Sequence, residues 1–311
     1  MFTTTMNIVL MMTIGQRFRR GSQMYSEVYQ RTKYILDHSQ SSARPEAWIS
    51  FLSFFTKHQV NQVKVKVAEQ KQFISQSIDK HRATFNNKNQ RDMVDIFLAQ
   101  GESKDVDEAT LQAIITDLLL AGPDSYKDSI ITIIYYLLKF PEMQAKCREE
   151  ARMVSSSKNW IDFEDCDKMP FLNNFIREVL RLAKPIFITV YRTNRKDLTI
   201  GNYRIPQDSI CLFDLFSSQI DSKLWENPNE FNPNRWNEGA NDNNKGNIIF
   251  GTGPRTCPGE TTAMMGIFLL VANMINRYEM LPDDGNPLPL ERVWNGIGLS
   301  PAPFKLHLKS I

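Results

Sequence analysis

The segment Phe250 to Glu260, FGTGPRTCPGE, places one cysteine among three glycines and two prolines. Glycines allow the backbone to approach a large, flat ligand closely. A helix that starts at Pro258 would favour the thiolate form of Cys257 through its N-terminal dipole, and a thiolate ligates metals. The alternative is a buried structural thiol, because a free cysteine packs as a small hydrophobe. Both interpretations remain open from this segment alone.

The glycine spacing excludes two nucleotide-binding loops. A P-loop has four residues between its glycines and then Lys with Ser or Thr, whereas Gly253 and Gly259 enclose five residues and Glu260 follows. A dinucleotide fingerprint needs a third glycine in a strand-loop-helix unit with a downstream acid, and this is missing too. No bound nicotinamide or flavin is therefore expected.

The composition is that of a soluble globular protein, with 311 residues, 42% hydrophobic and 23% charged. Lys and Arg (37) nearly balance Asp and Glu (35), so no overall field favours a nucleic-acid partner. The four cysteines form no C-x-x-C pair and have no histidine at zinc-ligand spacing. We expect reduced thiols in a protein that faces the cytosol.

The N-terminal apolar stretch Met6 to Ile14 is shorter than the roughly 20 residues of a membrane-spanning helix, and no basic segment precedes it as in a signal peptide. Nothing in the chain therefore predicts membrane insertion by itself. The four histidines, at positions 38, 58, 81 and 307, lie outside every motif, so a histidine base or ligand is not expected.

The hydrophobic pattern predicts which elements position these residues. Helices are expected over 61–80, over 111–121 and 130–138 as two buried helices separated by AGPDSYKDS, from Pro170 onward, and over 263–275. β-Branched and aromatic residues predict a strand over 186–191, and LTI-GN-YRI at 198–205 predicts a hairpin. The stretch 225–247 is rich in Asn and Pro and predicts an irregular loop.

The cysteine segment resembles the haem-binding loop of the cytochrome P450 family, since Phe250, Gly253, Arg255, Cys257 and Gly259 match every constrained position. The resemblance implies haem b as the cofactor and Cys257 as the axial ligand of its iron. It also implies that Arg255 binds a haem propionate and that the Phe250 ring lies beside the sulfur. The implied fold is mainly α with small β-sheets (α+β).

Two further segments resemble the family's charged triad. Glu178 and Arg181 match its E-x-x-R helix pair, and Phe231 to Trp236 resembles its F-x-P-x-R segment through Arg235. By itself an i,i+3 ion pair is common on helix surfaces. The resemblance implies that the three charged residues meet in the interior and hold the irregular loop beneath the haem.

The segment AGPDS resembles the A-G-x-(D/E)-T motif of the family's distal helix. It implies that Gly122 makes room over the haem and that Asp124 and Ser125 guide protons to bound oxygen. Ser125 replaces the family threonine, and Pro123 is a second departure. The alternative is a plain kinked core helix with solvated acids.

Arg192, which ends the strand predicted over 186–191, resembles a second propionate partner, and the alternative is an exposed strand-end arginine. Segments such as RDMVDIFL and WENPNEFNPNRW resemble the animal microsomal branch. NIVLMMTIGQRF at 7–18 resembles an interior segment of the usual chain. We therefore expect 1–311 to be a single cytochrome P450 domain, its C-terminal part, without the anchor and first helices. The complete protein is expected at the cytosolic face of the endoplasmic reticulum membrane, with a mitochondrial location as the alternative.

The resemblance implies a haem-thiolate monooxygenase that inserts one atom of O₂ into an apolar small molecule, namely a steroid, lipid or xenobiotic. Its electrons would come from an NADPH-dependent reductase. The implied pocket is lined near 120–122, 185–190 and 295–299. Two alternatives remain: an isomerase or dehydratase on the same fold, and a truncated, haem-deficient fragment without catalysis.

Overall fold

The structure is a computed structural model. It describes residues 1–39, 53–101, 106–156, 158–183, 186, 188–237, 246–285, 287–294 and 298–311. The chain divides into two compact units, Met1–Lys127 and Asp128–Ile311. The described elements are mostly helices with small two-stranded sheets, which confirms the expected mainly α class.

The first unit is helical. Its helices are α1 (Phe2–Ile14), α2 (Gln23–Ser39), α3 (Ser53–Thr84), α4 (Met93–Gln100) and the first part of α5 (Glu108–Lys139). The apolar stripes of these helices meet in one core, whose fully buried members include Met6, Leu10, Ile14, Ile74, Ile78, Val94, Ile115 and Leu119. The helix predicted over 61–80 lies within α3. No helix in the described part of the chain is both long and apolar enough to cross a membrane.

A buried polar joint connects three of these helices. The Nε2 atom of His81 on α3 lies 2.7 Å from Oδ2 of Asp92, which caps α4 by accepting a hydrogen bond from the Asp95 amide. The other ring nitrogen, Nδ1, lies 2.7 Å from the Ser77 carbonyl oxygen. Gly15 ends α1 with φ +61°, and a side chain at that position would collide with Asp92. His81 lies outside every sequence motif, and the structure gives it this packing role.

The prediction of two helices on either side of Pro123 was wrong, because α5 runs unbroken from Glu108 to Lys139 with Pro123 inside it. A proline removes one backbone hydrogen bond and bends a helix, but it does not have to end it. The apolar segments on both sides are buried, with Leu119 and Ile130 each fully excluded from solvent. Burial of both segments therefore outweighs the local cost of the proline.

The second unit packs α9 (Glu260–Arg277) against α6 (Pro141–Ser155) and α7 (Pro170–Ala183), with a short α8 (Leu215–Gln219). The helix predicted from Pro170 is confirmed, and so is the helix predicted over 263–275. Single 3₁₀ turns lie at Phe163–Lys168, Pro233–Trp236 and Gly253–Arg255.

The sheets of the described residues are four antiparallel pairs. The strands, in chain order, are β1 (Arg192–Thr193), β2 (Leu198–Ile200), β3 (Tyr203–Ile205), β4 (Ile210–Cys211), β5 (Tyr278–Pro282), β6 (Arg292–Trp294), β7 (Leu299–Pro301) and β8 (Leu306–Ser310). β1 pairs with β4, β2 with β3, β5 with β8 and β6 with β7. The hairpin predicted over 198–205 is confirmed as β2–β3, with Gly201 at φ +57° in its turn.

The strand predicted over 186–191 was wrong. Among the described residues of that stretch, only Ile188 forms a bridge, to Asp214, and the regular ladder begins at Arg192. Phe187 lies outside the described residues. β-Branched composition shows that a segment fits a sheet, but a strand also needs a neighbour along its length.

Candidate haem site

The backbone of the cysteine loop closes on itself. Gly251 and Gly253 adopt φ +80° and +73°, the left-handed region in which glycine is favoured. The Cys257 amide donates to the Phe250 carbonyl oxygen at 2.7 Å, and the Thr256 amide donates to the Gly253 carbonyl at 3.0 Å. The two glycines thus let the chain turn back far enough for Phe250 to hold the backbone of Cys257.

The Cys257 side chain is exposed, whereas Cys147 is buried and burial raises the pKa of its thiol. The prediction that a helix starts at Pro258 was wrong by two residues. Pro258 and Gly259 form a turn, Gly259 is the N-cap, and α9 begins at Glu260. Cys257 therefore lies just before the N-terminus of an 18-residue helix, where a negative charge is favoured.

The residues around Cys257 fit a haem. Arg192 in β1 donates from Nη2 to the Arg255 carbonyl oxygen at 3.1 Å, so the backbone of the loop is tied to the strand that carries the second arginine. A Cβ added to Gly253 would meet no atom within 4 Å. An exposed soft sulfur donor, open backbone beside it and an arginine side chain bonded to the loop backbone fit an iron centre with carboxylate arms.

A separate cavity of about 370 Å³ lies behind the loop, between the 3₁₀ turn Phe163–Lys168, α7 and α9. Its lining includes Phe250, Cys166, Arg177 and Met264, but not Cys257. The Cys257 thiol does not line this cavity. Phe250 borders this cavity and also holds Cys257 with its carbonyl.

A charged cluster lies beneath the irregular loop, centred on the fully buried carboxylate of Glu178 in α7. Arg181 donates to it from Nε at 2.9 Å and from Nη2 at 2.8 Å, the two-point geometry that suits a carboxylate. Arg235 Nε adds a bond of 2.9 Å, the Asn232 amide one of 3.0 Å and Trp236 Nε1 one of 2.9 Å. We call these five residues the Glu178 cluster.

The two arginines of the cluster hold the loop by its backbone. Arg181 donates to the carbonyl oxygens of Gln219 at 2.6 Å and Pro228 at 2.8 Å. Arg235 donates to the carbonyls of Glu226 at 2.8 Å and Glu230 at 3.1 Å. The backbone of an irregular segment that lacks sheet or helix partners is thereby bonded.

Burial by itself raises the pKa of Glu178, but the hydrogen bonds and charges of Arg181 and Arg235, with the Asn232 amide, outweigh it. The net result is a pKa below the ordinary value. The ionised carboxylate balances one of the two buried guanidinium charges, and the loop carbonyls solvate the other.

Two buried side chains connect the anchored loop to the start of the cysteine segment. Gln219, which is buried, donates from Nε2 to the Gly246 carbonyl at 2.8 Å. The buried indole of Trp225 lies against Gly246, where an added Cβ would come within 2.6 Å of Nε1. Gly246 lies just upstream of the segment that ends at Phe250. The anchored loop thus positions the entry to the cysteine segment.

The sequence motifs gave no role to five residues of this support: Asn232, Trp236, Gln219, Trp225 and Gly246. Trp236 follows directly after Arg235, and a tryptophan in a polar irregular stretch is a signal for burial. The bonds of Asn232 and Gln219 join positions far apart in the chain, so no local pattern reveals them.

The predicted proton-transfer residues belong to the first unit, on α5. The Ser125 hydroxyl donates to the Ala121 carbonyl at 2.8 Å and approaches the Gly122 carbonyl at 3.1 Å. The Asp124 carboxylate forms an ion pair of 2.8 Å with Lys127. All of these residues lie on the turns around Pro123.

The family model described as Cytochrome P450 matches residues 1–308. Cytochrome P450 2U1 of Homo sapiens is 26% identical over 316 residues, which are 97% of this chain and 57% of that protein. Steroid 21-hydroxylase of Sus scrofa is 26% identical over 273 residues, or 84% of this chain and 55% of the relative. The chain thus spans little more than half the length of these relatives.

A solved structure described as a zebra fish cytochrome P450 with progesterone superposes with a TM-score of 0.85 at 19% identity. The match covers 99% of this chain and 70% of the zebra fish chain. At this identity the likeness shows the fold, and haem b is the cofactor of that fold family.

Proposed function

Because the chain belongs to the cytochrome P450 family, we propose that it acts as a haem-thiolate monooxygenase. The reaction inserts one atom of O₂ into an apolar small molecule and reduces the other to water. The observation that carries the proposal is the exposed thiol of Cys257 in a loop whose backbone is closed by Phe250. When bound, haem b supplies the iron that activates O₂.

Cys257 is the axial ligand in this proposal. Its sulfur would bind iron as a thiolate, and it lies just before the N-terminus of α9. A thiolate ligand would supply electron density to the haem iron. The Phe250 carbonyl bond to the Cys257 amide keeps the sulfur in place while the side chain stays open.

Arg192 and Arg255 would bind the two haem propionates. Arginine suits this role because its planar guanidinium donates two parallel hydrogen bonds to a carboxylate. The bond from Arg192 to the Arg255 carbonyl supports the pairing, because it leaves the remaining nitrogens of Arg192 for a second acceptor.

Asp124 and Ser125 would hold and pass on protons in this proposal, and Gly122 would leave room beside the haem. Ser125 holds its hydroxyl on the Ala121 carbonyl. The Asp124 carboxylate is partly exposed and forms an ion pair of 2.8 Å with Lys127. These roles extend the family resemblance to the residues of α5.

The electrons come from an NADPH-dependent reductase in this proposal, since the glycine spacing of the chain fits no nucleotide-binding loop. We place the complete protein at the endoplasmic reticulum membrane, which agrees with its likeness to animal microsomal relatives. A mitochondrial protein would take its electrons from a ferredoxin instead.

A steroid is the first substrate to test, because a relative that is 26% identical over 84% of this chain is a steroid 21-hydroxylase. Lipids and xenobiotics suit the same apolar chemistry. Of the pocket residues inferred from sequence, Leu120 to Gly122 lie in α5. Positions 184, 185, 187 and 295–297 lie outside the described residues.

A second candidate is an isomerase or dehydratase that uses the same haem site. Ser125 and Pro123, which depart from the family's distal-helix motif, favour it. Turnover without NADPH and reductase would select this candidate. Turnover that depends on both would select the monooxygenase.

The test is the carbon monoxide difference spectrum of the reduced, haem-loaded protein. The 311-residue chain should show the band of thiolate-ligated haem, and Cys257→Ala should lose it. Cys166→Ala is the matched control, because it removes another partly accessible thiol of the same unit and should keep the band. A thiolate band that persists in Cys257→Ala would overturn the ligand assignment, and a wild-type chain without haem would select the non-catalytic fragment.

A further inference from the structure

Three side chains of α1 lie against the turns of α5 around Pro123. Thr5 donates from its hydroxyl to the Pro123 carbonyl oxygen at 2.9 Å. Val9 lies so close that a Cβ on Gly122 would come within 3.1 Å of its Cγ2. The ammonium of Lys127 lies 5.9 Å from the centre of the Phe2 ring. Positions 2, 5 and 9 share one face of a helix, so this face of α1 follows α5 from Lys127 back to Gly122.

The hydroxyl of Thr5 lies in an apolar interior. Its residue is fully buried, and the hydroxyl is within 3.0 Å of the Phe2 carbonyl as well as 2.9 Å of the Pro123 carbonyl. A hydroxyl carries one proton, so these two carbonyls share it. A buried hydrogen bond of this kind is costly to leave unmade, because no water replaces it.

Pro123 interrupts the backbone ladder of α5. Proline has no amide hydrogen, so the Leu119 carbonyl four residues earlier loses its helical donor, and the proline ring bends the helix. The Thr5 hydroxyl meets the Pro123 carbonyl from a neighbouring helix. It therefore fixes the direction of the turn that follows the proline.

That turn carries Asp124 and Ser125. We propose that Thr5 is a positioning residue: its hydroxyl, through the Pro123 carbonyl, sets where Asp124 and Ser125 present their proton-carrying groups. This assignment rests on the proposed function of these two residues. Gly122 has no side chain, which allows Val9 and the rest of α1 to pack closely against α5.

Thr13 provides a matched control on the same helix. It is 1% exposed, and its hydroxyl donates to the Val9 carbonyl at 2.8 Å within α1. Thr13→Val thus removes a buried threonine hydroxyl whose bond stays inside its own helix. Thr5→Val keeps the size and branching of the side chain and removes the bond to Pro123, and Thr5→Ser keeps the hydroxyl.

Hydrogen exchange of the whole chain tests the contact without any ligand. We expect the amides of 124–127 to exchange about threefold to tenfold faster in Thr5→Val than in the wild type, since one hydrogen bond is lost. Thr13→Val and Thr5→Ser should leave these amides near the wild-type rate. Equal rates in Thr5→Val and Thr13→Val would overturn the proposal.

The haem-loaded enzyme tests the chemical consequence. With NADPH and reductase, Thr5→Val should divert about twofold to fivefold more electrons to hydrogen peroxide, because protons arrive less directly. Thr5→Ser should return the peroxide yield toward that of the wild type. Faster exchange without a change in peroxide would reduce Thr5 to a structural residue and overturn the positioning role. A chain that shows the exchange effect but never forms a thiolate-haem band would refute the proposed function and leave the Thr5 contact standing.

Discussion

The Glu178 cluster and the cysteine loop differ in how completely their polar side chains are bonded. The carboxylate of Glu178 accepts five hydrogen bonds and is sealed from solvent. The sulfur of Cys257 is exposed and has no hydrogen bond within the described residues. Only the backbone of Cys257 is held, by the Phe250 carbonyl.

This difference indicates that the Glu178 cluster supports the fold, whereas Cys257 is available to react. A fully bonded buried charge contributes order, and removal of one partner strands the others. A sulfur with an open side can accept a metal as a new partner. The unit therefore places its polar contacts on the loop that leads to the cysteine and leaves the cysteine itself free to bind.

The largest expected loss of stability comes from a substitution in the fully hydrogen-bonded Glu178 cluster. Glu178→Gln leaves the two buried guanidinium groups of Arg181 and Arg235 without their counter-charge, which should lower the free energy of unfolding by about 3–5 kcal/mol. Urea unfolding followed by circular dichroism measures this. The matched control Glu164→Gln changes an exposed acid and should stay within about 0.5 kcal/mol of the wild type. A Glu178→Gln value as small as that of the control would contradict the cluster's role.

A smaller loss of stability is expected at Gly246, which connects the anchored loop to the cysteine segment. Gly246→Ala places a Cβ about 2.6 Å from the rigid, buried indole of Trp225. Overpacking of this kind should cost about 1–3 kcal/mol and weaken haem retention, because the entry to the loop must shift. Gly285→Ala, where no atom lies within 4 Å of the added Cβ, is the control. If both variants unfold at the same urea concentration, the contact between residue 246 and Trp225 does not limit the stability of the fold.

Acid should weaken the same cluster by a smaller, graded amount. The pKa of Glu178 is lower in the folded chain than its ordinary value of 4.5. Stability from this group is therefore fully present above about pH 4.5 and is lost as pH falls through the native pKa. Urea unfolding from about pH 6 to about pH 3 should show a steeper loss for the wild type than for Glu178→Gln. Parallel curves for the two proteins would show that ionised Glu178 adds no pH-dependent stability.

The smallest effect on stability should come from a substitution of the exposed Cys257. Cys257→Ala removes an exposed sulfur, so the free energy of unfolding of the haem-free chain should change by less than about 0.5 kcal/mol. The same variant should lose the thiolate-haem band entirely. A large destabilisation of the haem-free variant would mean that Cys257 supports the fold, and the contrast with Glu178 would fail.

Local patterns predicted several elements well. The apolar spacing from Pro170 predicts α7, whose Phe175, Ile176 and Val179 are fully buried. The Gly201 turn predicts the β2–β3 hairpin because only a few residue types favour its backbone angles. In both cases the residues that specify the structure are close neighbours in the chain.

Patterns failed where packing decided the outcome. α5 continues through Pro123 because both flanking segments are buried and Thr5 bonds the bent turn. The stretch 186–191 has strand composition, but its described residues form one isolated bridge, from Ile188 to Asp214, and no regular ladder. Whether a residue keeps its preferred conformation depended on neighbours that the local sequence does not reveal.

The sequence by itself determined the chemistry available to this protein. The spacing of Gly253, Arg255 and Cys257 specifies a thiol-bearing loop, and Glu178, Arg181 and Arg235 specify a charged set. Tertiary structure alone decided how these groups are held: Arg235 on Glu178, Gln219 on Gly246, His81 on Asp92 and Thr5 on Pro123. The physical reason is distance along the chain. Motifs act over a few residues, whereas these four contacts join residues 11 to 118 positions apart, which only folding brings within about 3 Å.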